Sequence, residues 1–146
     1  MGFVVNHVGH CVTDLERSRR FYEEVLGFEY WHELAVPDEA ASKLLDLPQP
    51  LDVTAVYLRR GDFVLELMHF AAPSAQESVR ERVMKEIGLT HLSVSVDDIA
   101  ATAARAAEFG GRVLEQTNVG LAVMIRDPDG QLLELLPMDY RDRLPA

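Results

Sequence analysis

The chain repeats itself, and the repeat limits its fold more than any single motif does. The stretch HVGHCVTDLERSRRFYEEVLGF, residues 7–28, lies without a gap over HLSVSVDDIAATAARAAEFGGR, residues 91–112. His7 falls on His91, Val8 on Leu92, Val12 on Val96, Asp14 on Asp98, Leu15 on Ile99 and Gly27 on Gly111. A duplicated unit has to bury its apolar face in the same way twice, so each motif must be read as one of a pair.

Each copy opens with a short alternating strand and reaches an Asp suited to capping a helix. It then runs through about three turns of amphipathic helix and stops at Gly. The first helix is expected to bury Leu15, Phe21, Tyr22, Val25 and Leu26. Strand-like segments follow: FEYWHEL, VTAVYLR and DFVLELMHF in the first half, and RVLEQTN, LAVMIR and QLLELLP in the second. RRGD and DPDG sit where hairpins are needed, with Gly61 and Gly130 adopting positive φ at low cost. Each half therefore reads as βαβββ, an α+β architecture of two tandem modules over about residues 3–71 and 87–138. The first half also carries VPDEAASKLLDLPQP, residues 36–50, expected to be a short helix and loop between prolines. PSAQESVRERVMKEIG has helix-forming composition, and its spacing predicts a connecting helix over about residues 73–86.

The 146 residues suit one domain. Apolar residues at 48% and charged residues at 26% are ordinary globular proportions. A formal charge of −10 disfavours nucleic acid, whose readers carry basic patches that release counterions. The apolar runs are far shorter than the roughly 20 residues of a membrane span, and MGFVVNH lacks a basic-then-apolar signal pattern. The lone Cys11 has no partner for an internal disulfide, which fits a reducing, cytoplasmic setting, and is expected to be a small buried strand residue.

Strand parity sorts the side chains, because alternate residues point to opposite faces. In the second copy His91, Ser93 and Ser95 share one face, and Leu92, Val94 and Val96 share the apolar face that must lie against the helix. By equivalence His7, Gly9 and Cys11 look away from the helix, while Val8, His10 and Val12 lie on its side. Near the end of each half, DFVLELM and GQLLELL place Glu66 and Glu134 within apolar strands. A carboxylate there is costly unless paired, hydrogen-bonded or bound to a cation. If the halves pack about a pseudo-twofold axis, they contribute His7, Glu66, His91 and Glu134 to one concave side. Two imidazoles and two carboxylates suit Zn, Ni, Co, Mn or Fe better than Ca or Mg. Parity turns His69 away from Glu66, and Trp31 and His32 are left without a role.

These pieces resemble the vicinal oxygen chelate superfamily, which includes glyoxalase I, methylmalonyl-CoA epimerase, extradiol dioxygenases, and fosfomycin and bleomycin resistance proteins. The resemblance rests on HVGHCVTDLERSRRFYEEVLGF, FVLELMHF, THLSVSVDDI and RDPDGQLLELLP and covers nearly the whole chain. It implies a U-shaped mixed sheet around a central metal cavity, with His7, Glu66, His91 and Glu134 on the four ligand positions. The His, Glu, His, Glu order is similar to that of glyoxalase I. It implies a metal-dependent lyase or isomerase that chelates a small oxo- or hydroxy-acyl compound and stabilises an enediolate. Glu134 or Glu66 would serve as the base, with Glu134 favoured by the match of DPDGQLLEL.

The alternatives are a metabolite- or antibiotic-sequestering resistance protein and an Fe(II) extradiol-type dioxygenase using His7, His91 and Glu134. EQTNVGLAVMIR is shorter than the glycine- and lysine-bearing loop that glyoxalase I uses beside its thiol, a departure that counts against dependence on glutathione or another thiol. Tyr57 and Arg126 are candidates for lining the substrate pocket. A homodimer is expected because the sheet edges need covering. Replacing His10 with Val is expected to leave metal content unchanged by elemental analysis. Loss of metal in that variant would contradict the parity assignment.

Overall fold

The computed structural model describes residues 2–145. The first module runs β1 (Val8–Cys11), α1 (Leu15–Leu26), β2 (Glu29–Val36), α2 (Asp38–Leu45), β3 (Val53–Arg60) and β4 (Phe63–Phe70). The second runs β5 (His91–Val96), α3 (Ile99–Glu108), β6 (Arg112–Val113), β7 (Val123–Arg126) and β8 (Leu132–Pro137). Each module forms a four-stranded mixed sheet, ordered β1-β4-β3-β2 and β5-β8-β7-β6. In both, the first strand is parallel to the last and the remaining pairs are antiparallel. The βαβββ reading of each half therefore holds. By Cα packing the chain divides into two compact units, residues 1–23 with 27–78, and residues 24–26 with 79–146.

The helices start where the repeated aspartates stop the strands. Asp14 and Asp98 have extended backbones, with φ of −142° and −137°. Each side chain accepts a hydrogen bond from the amide three residues on, Arg17 or Ala101, at 2.9 Å. Such a cap is worth about 1 kcal/mol because it satisfies an amide that the first turn leaves without a partner. Gly27 ends α1 with φ of 67°. In α3 the left-handed position falls on Gly110 (φ 86°) rather than on Gly111, the repeat equivalent of Gly27.

Helical spacing buries Ser18, Phe21, Tyr22 and Val25 on one stripe of α1, while Leu15 and Leu26 are only partly covered. Tyr22 meets the His10 ring edge-on at 6.0 Å. His10 thus lies on the helix side of its sheet, the face that also carries buried Leu58, Leu65 and Leu67. In the second module Ile125, Leu133 and Leu135 occupy the equivalent face, and α3 contributes Ala103 and Ala106 to its buried residues.

The insertion between β2 and β3 is a helix and loop, as expected. The Asp38 carboxylate accepts from the amides of Leu51 and Asp52 at 3.1 and 2.8 Å, closing the loop onto the start of α2. Ala41, Leu51 and Val53 then form a small core with Val36, Leu45, Phe70 and Ala75 packed against it.

Three expectations are corrected. The connecting segment is not a helix: a single 3-10 turn at Pro73–Ala75 is followed by irregular chain up to β5. Its charged side chains bond away from a helical ladder. Arg82 donates to the carbonyls of Leu89 and Ile87, and its own carbonyl accepts from Arg126. Glu81 pairs with Arg112 and Arg126. Val79, Val83, Met84 and Ile87 remain exposed, so no apolar stripe is buried to stabilise a helix. The RVLEQTN strand shrinks to Arg112–Val113 before a 3-10 turn at Glu115–Thr117. Cys11 is exposed rather than buried, because it lies on the face opposite the one that carries His10. Among the described residues no helix is long and apolar enough to cross a membrane.

Candidate functional site

Register places the repeated His and Glu side chains together within each module. Gly9 of β1 and Tyr57 of β3 flank Glu66 of β4, one on either side. Ser93 of β5 and Met124 of β7 flank Glu134 of β8 in the same way. Each Glu sits two residues along the sheet from a histidine on the same face, since His7 precedes Gly9 by two positions and His91 precedes Ser93 by two.

The side chains meet. His7 Nε2 lies 3.2 Å from Glu66 Oε2, and His91 Nε2 lies 3.6 Å from Glu134 Oε2. Two ligands held at about 2.1 Å from one ion, at roughly tetrahedral or right angles, stand about 3.0–3.4 Å apart. The first pair falls within that bite and the second is slightly wider. Among the described residues no group of three or more His, Cys, Asp or Glu side chains is gathered that could hold a metal ion. The structure therefore forms two pairs, one in each module.

The residue preceding each histidine holds its other nitrogen. Asn6 Oδ1 is 2.7 Å from His7 Nδ1, and Thr90 Oγ1 is 2.9 Å from His91 Nδ1. An amide oxygen only accepts, so His7 Nδ1 carries a proton and Nε2 is the ring nitrogen turned to Glu66. An imidazole nitrogen and a carboxylate oxygen at 3.2 Å are joined through a proton or a cation. Asn6 and Thr90 occupy equivalent positions of the repeat, a signal that was present in the sequence and went unused.

The carboxylates have hydroxyl partners as well. Tyr57 donates to Glu66 Oε1 at 2.6 Å, and Ser93 donates to Glu134 Oε2 at 2.7 Å. The Glu66 side chain is 12% exposed and that of Glu134 30%. Tyr57 is held between rings. His32 stacks on it at 4.4 Å with planes 10° apart, and His7 meets it edge-on at 5.6 Å. Trp31 in turn touches His32 edge-on at 4.8 Å. Burial, reinforced by the hydrogen bond to Glu66 and its negative charge, pushes the Tyr57 phenol up to about 12.

The remaining candidates lie elsewhere. Arg126 shares the Glu134 face of its sheet by register, yet its guanidinium is bound internally. It donates to the carbonyls of Gly130 and Arg82 at 2.6 and 2.9 Å, and its Nε lies 3.7 Å from Glu81 without a hydrogen bond. It is nine-tenths buried and clamps the connecting segment onto the DPDG turn. His69 Nδ1 lies 3.1 Å from the carbonyl of Val12, away from Glu66.

The profile of the Glyoxalase/Bleomycin resistance protein/Dioxygenase superfamily matches residues 4–135. The chain is 27% identical to bovine (Bos taurus) methylmalonyl-CoA epimerase over 80% of its own length, spanning 60% of that relative. It is 26% identical to a lactoylglutathione lyase of Pseudomonas aeruginosa, over 92% of this chain and 82% of that one. It is 31% identical to YaeR of Escherichia coli, over 90% of this chain and 93% of that one. Among solved structures, a glyoxalase family protein from Bacillus cereus superimposes with a TM-score of 0.78 at 21% identity, over 91% of this chain and 92% of that one.

Difference titration of wild type against Tyr57→Phe, followed by phenolate absorbance, is expected to show Tyr57 ionising near 12. The raised value means that any stability the half-buried phenol contributes is present below pH 10 and lost as pH climbs through 12. A midpoint near 10 would contradict the burial and the bond to Glu66.

Proposed function

Since the chain belongs to the Glyoxalase/Bleomycin resistance protein/Dioxygenase superfamily, we propose that it is a metal-dependent lyase or isomerase of the glyoxalase type. Its substrate on this reading is a small oxo- or hydroxy-acyl compound, free or as a thiol conjugate. His7, Glu66, His91 and Glu134 are its metal ligands, drawn from one copy of the chain or from two. The observation that carries the proposal is the repeated pair: in each module a His Nε2 faces a Glu oxygen at close to ligand spacing, with its Nδ1 already held.

The donor set fits a borderline divalent ion such as Zn, Ni, Co, Mn or Fe. When bound, such an ion supplies positive charge to two neighbouring oxygens of the substrate. The rest of the chemistry belongs to the side chains. The two imidazoles bring no charge, and the two carboxylates offset the charge of a dication. Asn6 and Thr90 fix the ring orientations, which keeps the Nε2 atoms presented. Glu134, more exposed than Glu66 and held by only a serine hydroxyl, takes a proton from one substrate carbon and returns it to the next. Relatives named as epimerases and as lactoylglutathione lyases support a reaction built on such a proton transfer.

The test combines elemental analysis with turnover. Purified protein is expected to hold Zn, Ni, Co, Mn or Fe, and alanine at any one of the four positions is expected to lower metal affinity at least tenfold. Glu134→Gln should retain some metal while turnover of a hemithioacetal, or exchange of a substrate proton into D₂O, falls by about 10²-fold or more. Protein that binds no transition metal would overturn the proposal. Fe²⁺ with oxygen uptake would replace it by the dioxygenase reading, and metal binding without turnover by sequestration.

A further inference from the structure

The two halves of the site satisfy their carboxylates from opposite sides. In the first module the donor comes from the antiparallel neighbour, Tyr57, and the parallel neighbour is Gly9. In the second it comes from the parallel neighbour, Ser93, and the antiparallel neighbour is Met124, whose thioether cannot donate. The hydroxyls consequently reach different oxygens. Tyr57 takes Glu66 Oε1, the oxygen turned away from His7, and leaves Oε2 to face the imidazole. Ser93 takes Glu134 Oε2, the oxygen that faces His91.

Gly9 reinforces the difference, since a Cβ there would lie 3.4 Å from Glu66 Oε2 and 3.3 Å from the Met68 methyl. As a glycine, residue 9 offers no side chain to the imidazole-facing oxygen, in the place where the second module has Ser93. Tyr57 itself has little freedom, packed face-to-face on His32 and edge-on to His7.

We infer that Tyr57 is a positioning residue that locks Glu66 as the fixed carboxylate of the site, and that Ser93 does not lock Glu134 in the same way. This rests on the metal reading above. A carboxylate anchored by its outer oxygen arrives at a cation with its inner oxygen aimed and its rotamer already set. A hydroxyl on the inner oxygen guides that oxygen but also competes for it, so its removal has opposing effects.

The test is titration of the full-length chain with Co²⁺, followed by calorimetry and by visible absorption. Tyr57→Phe retains the ring that stacks on His32, and is expected to fold and to bind Co²⁺ about 10–100-fold more weakly than wild type. Ser93→Ala is expected to change affinity less than threefold. In a Glu66→Ala background, adding Tyr57→Phe should cost less than threefold more, because Tyr57 acts through Glu66. Unchanged affinity in Tyr57→Phe, while Glu66→Ala weakens binding, overturns the inference alone. So does an equal loss in Ser93→Ala, or an undiminished Tyr57→Phe effect without Glu66. A wild-type chain that does not bind Co²⁺ overturns the metal reading and this inference with it.

Discussion

A carboxylate set in the middle of an apolar strand is the constraint on which the rest of this structure turns. Glu66 stands between Leu65 and Leu67, and Glu134 between Leu133 and Leu135, all four leucines buried. A strand with that pattern must turn its leucines to the helix and its glutamate to the other face, and this fixes the register of both sheets. Once there, the charge needs partners. Each module supplies one hydroxyl and one imidazole, and the imidazole presents Nε2 because its neighbour in the chain holds Nδ1. The caps at Asp14 and Asp98 set where each helix begins after its first strand.

Duplication explains why the two pairs look alike, and divergence at single positions explains why they are not equivalent. Gly9 against Ser93 and Tyr57 against Met124 exchange the source of one hydrogen bond. The consequence is a nearly enclosed Glu66 and a more open Glu134. Two carboxylates of the same type, in the same register, thereby acquire different hydrogen-bond partners and different exposure. On the proposed reading, that difference would divide holding a cation from shuttling a proton. It is created without any change in the repeated His and Glu residues themselves.

Much of this was legible from residue order because it depends on local rules. Period-two alternation puts His10 on the helix side and His7 opposite it, and the ring contact between His10 and Tyr22 agrees. Aspartate caps, the glycines of RRGD and DPDG, and the proline-bounded helix at Asp38–Leu45 are equally local. What composition misjudged depends on contacts distant in sequence. The segment after Pro73 has the residues of a helix, but Glu81 pairs with Arg112 and Arg126 and the Arg82 carbonyl accepts from Arg126, and those bonds prevail over propensity. The engagement of the Arg126 guanidinium by the carbonyls of Gly130 and Arg82 was likewise invisible in residue order. The hydroxyls of Tyr57 and Ser93 became assignable only when register showed which oxygen each one meets.

The central proposal is that each His–Glu pair supplies two ligands to a metal centre, within one copy of the chain or across two. The direct measurement is a crystal structure of the Zn²⁺- or Co²⁺-loaded protein with anomalous scattering at the metal edge. The account predicts one strong anomalous peak bonded at about 2.0–2.2 Å by His7 Nε2, Glu66, His91 Nε2 and Glu134. A peak elsewhere, or one bound by a single pair, would contradict it.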